Sequence, residues 1–257
     1  MRIITLITDF LADLYIGQIK GVILSINPEI NLIDISHRVQ SYNILEAAFL
    51  VSQVYAVFPT NSLHLAVVDP TVGSRRRGII VKTEKYFLVG PDNGLFSLIL
   101  SKEKPLKIYE IDLKKFPEAS LTFQARDIFA PVVGYLSLGY LPEKFGREIK
   151  KIQGLKLKES VVLFVDGFGN IITNVKKKFR PGEKLIVEYG RRRIQAQFVR
   201  TFAEGRDNEF IVLTGSSGFL ELDKNKESAA KDLGIKVGDK IRIKSAFGEK
   251  FPVTKVK

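Results

Sequence analysis

RIITLITDFLADLYIGQIKGVILSINPEINLIDIS, residues 2–36, carries two hydrophobic rhythms in one stretch. RIITLIT is a short apolar run that ends at Asp9, a strand signal. LYIGQIKGVILSI follows with apolar residues at helical spacing until Asn27-Pro28 stops it. INLIDIS is a second short run. Strand, helix and strand joined by short connections predict the start of an α/β layer. Outward from there the pattern repeats. Asn43 to Phe58 has helical spacing and meets Pro59, LHLAVVDP reads as a third strand, and GIIVKT with YFLVGPDNG reads as a hairpin leading into a turn. The expected fold is an N-terminal α/β/α-type domain, residues 1–152, with a largely parallel mixed sheet.

From about residue 160 the texture changes. VVLFVD, KLIVEY, IQAQFV, EFIVLT and KIRIKS are short strands between Gly, Pro and charged turns, with little helix beyond SAAKDLG. Residues 153–257 are therefore expected to form a small antiparallel β barrel, and the polar segment IKKIQGLKLKES suits a linker. No repeat or low-complexity segment interrupts either half.

Composition narrows the classes. With 45% hydrophobic and 26% charged residues the chain can build sizeable cores. It has no cysteine, which excludes a disulfide framework, a thiolate metal site and a cysteine nucleophile. MRIITLITDF is broken by Asp9 and reads as a strand rather than a signal peptide. No apolar run reaches the length of a membrane span, so a soluble cytoplasmic protein is expected. High Lys, Ile and Glu with a single Met resembles a thermophile's composition. Residues 151–257 hold 23 Lys and Arg against 13 Asp and Glu. Such a surface keeps a protein soluble or meets nucleic acid; no recognition module accompanies KKKFR and RRR, so a nucleic-acid partner is not expected.

Three acids stand where strands end: Asp9, Asp34 and Asp69. Ligands of open α/β sheets bind outside the carboxyl ends of the strands, and an ionised carboxylate there can accept from both hydroxyls of a ribose. Asp in that position is also a common cap, and both readings stand. GPDNG (90–94) adds a polar turn. VVDPTVGSRRRG (67–78) joins Asp69 to three arginines across a Pro/Gly turn. In LTFQARDIFAPV (121–132), Arg126-Asp127 reads as a helix start in which Asp127 favours the dipole. VDGFGNIITN (165–174) sets Phe168 between glycines, where it is poorly explained as core and could stack on a purine. His64, inside a strand, reads as structural. No G-x-S-x-G elbow, phosphate loop or G-x-G-x-x-G fingerprint is found.

Seven segments in order then resemble one family, the S-adenosylmethionine hydroxide adenosyltransferases, relatives of fluorinating and chlorinating enzymes. They are ITDF with DLYIGQIKGVI within 5–23, INPEINLIDISHRV (26–39), FPTNSLHLAVVDPTVGSRRRG (58–78), VGPDNGLFS (89–97), FQARDIFAPV (123–132), VDGFGNIITNV (165–175) and LTGSSGFLEL with ESAAKDLG (213–234). The resemblance implies hydrolysis of S-adenosylmethionine to adenosine and methionine, without a cofactor, in a homotrimer with sites between subunits. It assigns water activation to Asp69, Arg76 and a third position held by Gln124, leaving Arg75 and Arg77 as solvated neighbours. Asp9 would hold the ribose, with Phe168, Asn170 and Phe202 as further contacts. Asp13, Tyr42, Asn93, Asp166 and Ser217 complete the expected substrate-binding set. The family pattern reads F-H-G-R-D where this chain reads Phe123-Gln124-Ala125-Arg126-Asp127. Gln124 positions water but accepts no proton, and losing one general base costs about 10²–10⁴-fold. The alternative is a protein that binds adenosine or S-adenosylmethionine with little turnover.

Overall fold

The computed structural model describes residues 2–11, 13–157 and 159–247. The chain divides into two compact units, Met1–Lys156 and Leu157–Lys257, and the division falls inside the polar segment 149–160. Among the described residues no helix is long and apolar enough to cross a membrane.

In the first unit β1 (Ile3–Thr8), α1 (Asp13–Ile26) and β2 (Asn31–Ser36) realise the opening rhythm. α1 buries Ile16, Ile19 and Ile23, one stripe at i, i+3 and i+7. Next come α2 (Ile44–Val54), β3 (Leu63–Val67), β4 (Gly78–Lys82) and β5 (Phe87–Pro91). α3 (Ser97–Leu100), β6 (Lys107–Ile111), α4 (Ala130–Ser137) and β7 (Gly146–Ile149) complete the unit. The sheet order is β2-β1-β3-β5-β4-β6-β7. β2, β1, β3 and β5 run parallel, whereas β4, β6 and β7 add antiparallel pairings.

Alternation along the strands feeds two cores. Ile4, Leu6, Leu63, Leu65 and Val67 meet Ile19 and Ile23 of α1 and Val133 of α4 on one face. Ile7, Ala66, Ile79 and Val81 meet Ala47 and Val51 of α2 on the other. The result is an α/β/α sandwich. Each buried aliphatic side chain contributes about 1.5–3 kcal/mol against exposure, before entropy is counted.

The expected linker is partly fastened to the first unit. Gln153 N donates to Asp92 Oδ1 at 2.7 Å and Leu155 N to Ser97 Oγ at 2.8 Å. Arg77 donates to Asp92 Oδ2, 2.5 Å from Nη2, and to the Lys151 carbonyl at 3.0 Å. Arg77 is thus a clamp on a buried carboxylate, not the solvated neighbour its place in an arginine run implied.

The second unit is built of β8 (Val162–Val165), β9 (Ile171–Thr173), β10 (Lys184–Tyr189), β11 (Arg192–Phe198), β12 (Phe210–Thr214), β13 (Leu220–Lys224), α5 (Ala229–Leu233) and β14 (Arg242–Ser245). Its seven strands run β14-β10-β11-β12-β13-β9-β8, all antiparallel except β11 with β12. The sheet curls into a half-barrel around Val162, Leu185, Val187, Val212, Leu222 and Ile243. A bridge between Val161 and Lys240 draws its two edges together.

Candidate active site

β1 and β3 are parallel neighbours with Thr8 opposite Val67, so the residues just beyond them, Asp9 and Asp69, emerge at one edge of the sheet. The Asp69 turn folds back on itself. Thr71 donates to Asp69 Oδ1 from its backbone N at 3.3 Å and its hydroxyl at 3.4 Å, and Arg76 Nε donates to Oδ2 at 2.8 Å. The Asp69–Arg76 pair is buried, with side chains 6% and 7% exposed. Gly73 permits this. At φ +79 it takes a left-handed conformation, and a Cβ there would lie 2.8 Å from the Leu121 carbonyl oxygen.

That close approach sets the turn against the segment carrying Gln124. Arg76 Nη2 donates to Gln124 Oε1 at 2.5 Å, and Gln124 is 5% exposed. Gln124 stands at the start of a π-helical turn, Ala125–Phe129, which widens the backbone before α4. Phe129 of that turn lies under the Arg76 guanidinium, 5.3 Å from its centroid. Asp127 is paired with Arg126 and accepts from Ser120 N at 2.9 Å. It fastens the loop before Gln124 as well as sitting near a helix start. Arg76 Nη1 is buried and has no partner among the described residues.

Beside these groups is a cavity of about 270 Å³ whose polar lining includes Asp9, Tyr42, Asp69 and Gln124. Its apolar wall is an aromatic trio absent from the sequence reading. Phe10, Tyr15 and Phe123 meet edge to face, with centroids 5.3–5.9 Å apart. Phe10 and Tyr15 stand in a motif that reads as a strand end and a helix face, so the only signal was their aromatic character. Asp9 Oδ2 accepts from Tyr42 N at 2.8 Å. Burial pushes the Asp9 carboxyl above its ordinary value; the Tyr42 amide pulls it back, and the neighbouring Asp69 charge adds to the rise.

Other candidates fall elsewhere. Asp13 is exposed in the first turn of α1. Asn93 holds the Val68 carbonyl, 2.8 Å from Nδ2, and so supports the strand end before Asp69. Asp34 does not join Asp9 and Asp69. It lies within β2, bonded to Lys20 Nζ at 2.5 Å and 3.0 Å from His37 Nε2, because the pleat turns its side chain toward α1. Among the described residues no three His, Asp or Glu converge as a metal ion requires.

The remaining candidates belong to the second unit. Asp166 organises a turn, its Oδ1 accepting from Phe168 N and Asn170 N and its Oδ2 from Asn170 Nδ2, each at 2.9 Å. Phe168 is 82% exposed, as a ring available for stacking requires. Phe202 is exposed in a short 3₁₀ turn, and the Ser217 hydroxyl accepts from Phe219 N at 3.3 Å. Within β13 lies Asp223, fully buried with neither oxygen bonded among the described residues. Burial, together with the charges of Glu221 and Asp166, pushes its carboxyl up to about 8.

An α/β/α unit with two acids at neighbouring strand ends beside a cavity, and a second unit of curled β sheet, define a two-domain α/β and β architecture. Within it the chain belongs to the S-adenosylmethionine hydroxide adenosyltransferase family: residues 4–146 match the model of the family's N-terminal domain and residues 160–242 that of its C-terminal domain. It is 39% identical over 260 residues to the (R)-S-adenosyl-L-methionine hydrolase of Methanocaldococcus jannaschii, covering 95% of this chain and 96% of that one. The protein of the same name from Thermus thermophilus is 33% identical, covering 95% of this chain and all of its own length. A solved structure of a conserved protein from Thermotoga maritima superposes with a TM-score of 0.87 at 32% identity, covering 94% of this chain and 100% of that one. More distant relatives, 25% identical or less, are named fluorinases.

Proposed function

We propose that this protein hydrolyses S-adenosyl-L-methionine to adenosine and L-methionine. A water attacks the 5′ carbon, the C5′–S bond breaks with its electron pair going to sulfur, and one proton of the water is released. Methionine departs as a neutral thioether, so the leaving group needs no acid. The work lies in excluding bulk water, aligning one molecule behind the carbon and stabilising its developing negative charge. Asp69 and Arg76 carry that work, Gln124 orients the water, and Asp9 grips the ribose. The observation that carries the reading is the Nη1 of buried Arg76, a charged donor with no partner among the described residues, on the guanidinium that holds the cavity residues Asp69 and Gln124.

One feature favours the second reading, a pocket that holds its ligand with little turnover. Both Asp69 oxygens are engaged, by Thr71 and by Arg76. Both oxygens are thus committed to protein donors, and the Gln124 amide has no basic group to take the water's proton in their place. Incubation with substrate in ¹⁸O-water separates the two: adenosine labelled at the 5′ oxygen supports hydrolysis, and unlabelled or absent product with bound ligand supports the pocket. Because the relatives are named for the (R) sulfonium, both epimers belong in the assay, with (R) expected to react faster.

The finer expectations belong to the same proposal. The protein works without a cofactor, in the cytoplasm, and as a homotrimer in which Asp166, Phe168, Asn170, Phe202 and Ser217 of one subunit complete the site of another. The exposure of Phe168 and of the cavity-lining residues Tyr42 and Val72 supports assembly. Light scattering at micromolar concentration is expected to give three chain masses, and a monomer that hydrolyses at full rate contradicts the shared site. The lysine-rich, Met-poor composition supports a thermophilic source.

A further inference from the structure

A polar chain behind Asp9 has no part in the reaction as written. The Thr8 hydroxyl lies 2.9 Å from His37 Nδ1, and His37 Nε2 lies 3.0 Å from Asp34 Oδ1. The second oxygen of Asp34 accepts from Lys20 of α1. Hydroxyl, imidazole and carboxylate in line is an arrangement that activates nucleophiles. That role fails here, because Thr8 is 1% exposed and no substrate carbon can reach its oxygen.

The proton order can be read from the partners. Nε2 faces the Asp34 carboxylate at 3.0 Å without an aligned hydrogen bond among the described residues, and the tautomer that carries its proton on Nε2 leaves Nδ1 as an acceptor. The Thr8 hydroxyl then donates to Nδ1, and its lone pairs face the Phe10 amide, which donates to Oγ1 at 3.4 Å. The chain thereby closes a turn whose middle residue is Asp9. Two further ties join the same stretches: Leu11 N donates to the His37 carbonyl at 3.0 Å, and Tyr42 N donates to Asp9 Oδ2 at 2.8 Å. Tyr42 does so from a left-handed backbone at φ +68, which a tyrosine adopts where its surroundings impose it. Segments 8–11 and 37–42 are thus strapped together, and both line the cavity through Asp9, Phe10, Ser41 and Tyr42.

We propose that His37 and Thr8 are positioning residues that pin the Asp9 turn, holding its carboxylate where a ribose diol can use both oxygens. The identity of the ligand rests on the proposed S-adenosylmethionine reading; the pin itself does not. A threonine chosen only to fill space is replaceable by valine, which keeps its shape. A threonine that supplies the hydroxyl of a relay is replaceable only by serine.

Two variants of the full chain, Thr8→Val and Thr8→Ser, test this with two readouts. Thr8→Val is expected to speed amide hydrogen exchange at Leu11 and Tyr42 and to raise the Kd for adenosine, measured calorimetrically, each by about tenfold, in line with loss of one buried hydrogen bond. KM for S-adenosylmethionine should rise in parallel while kcat changes less than about threefold, since the interaction lost serves binding. Thr8→Ser is expected to restore all of these toward the parent. Unchanged exchange at Leu11 and Tyr42 in Thr8→Val overturns the pin whatever the activity does, as does equal damage from Ser and Val. Failure of the parent protein to bind adenosine or release it from S-adenosylmethionine overturns the functional reading, and does so independently of the exchange data.

Discussion

Arg76 holds two neighbours at once, Asp69 through Nε and Gln124 through Nη2, while its Nη1 has no partner among the described residues. Its removal strands a buried carboxylate. Arg76→Leu is expected to abolish adenosine formation and to destabilise the first unit by about 3–5 kcal/mol, the usual cost of an uncompensated buried charge, read as a lowered melting temperature. Gln124 gives the complementary test. Gln124→His restores a titratable group beside Arg76, and the rate of adenosine formation is expected to rise at least about tenfold, toward the range of general-base effects. A rate unchanged by that substitution would show that proton acceptance at position 124 is not what limits turnover. The nearness of Asp69 to Arg76 was legible in VVDPTVGSRRRG, since a Pro/Gly turn returns the chain within a few residues. The meeting of Arg76 with Gln124 was not: 48 positions separate them, and only the resemblance to a family joined them. Charge alone also misread Arg77, because a run of arginines does not reveal that one of them faces the buried carboxylate of Asp92.

At the scale of elements, periodicity carried far where the chain obeys one rhythm. α1, β1, β2 and the β4–β5 hairpin stand where their apolar spacing put them. β9 was hidden, being three residues long and directly following the GFGN turn, with too few positions to show alternation. The π-helical turn at Ala125–Phe129 has no rhythm of its own and reads as ordinary helix. The aromatic wall, Phe123 against Phe10 and Tyr15, was hidden because its rings come from distant positions that read as a strand end, a helix face and a loop. Close packing between strands leaves a sharper mark. A Cβ on Gly90 of β5 would stand 2.2 Å from the Ala66 carbonyl oxygen of β3, a contact that only backbone movement relieves. Gly90→Ala is therefore expected to cost about 1–3 kcal/mol, measured by urea titration, and to lower activity as well, since β3 ends just before Asp69.

For the molecule as a whole, acidity acts on its two units in opposite directions. His64, in the first unit, is fully buried between Tyr55, Phe58 and Tyr86, with its Nδ1 on Thr5. Burial lowers its pKa from 6.5 to about 4, so the unfolded chain binds the extra proton between those values. Stability from a neutral His64 is full above about pH 6.5 and is lost as pH falls toward 4. Asp223, in the second unit, has its pKa raised from 3.8 to about 8. Here the folded state holds the extra proton, so stability declines as pH rises through that window. Between pH 4.5 and 7.5, scanning calorimetry is expected to show one transition moving up and the other down. Asp223→Asn should flatten the second and raise it at pH 7.5, by about 1–3 kcal/mol for a relieved buried group. Two transitions that shift together would contradict this account.

The bridge between Val161 and Lys240 means that the second unit's fold begins and closes at one spot. Neighbouring backbone bonds reinforce the junction, Val162 N to the Asp239 carbonyl and Ile241 N to the Ser160 carbonyl, at 2.9 and 3.0 Å. A module with such a seam is topologically portable. Its order of strands could be reconnected across the junction by a few residues and opened instead at the β10–β11 hairpin, where Gly190 and Arg191 are exposed at the tip. The curled sheet would keep every pairing, so strand order in the gene and strand order in space are separable properties of this half of the chain.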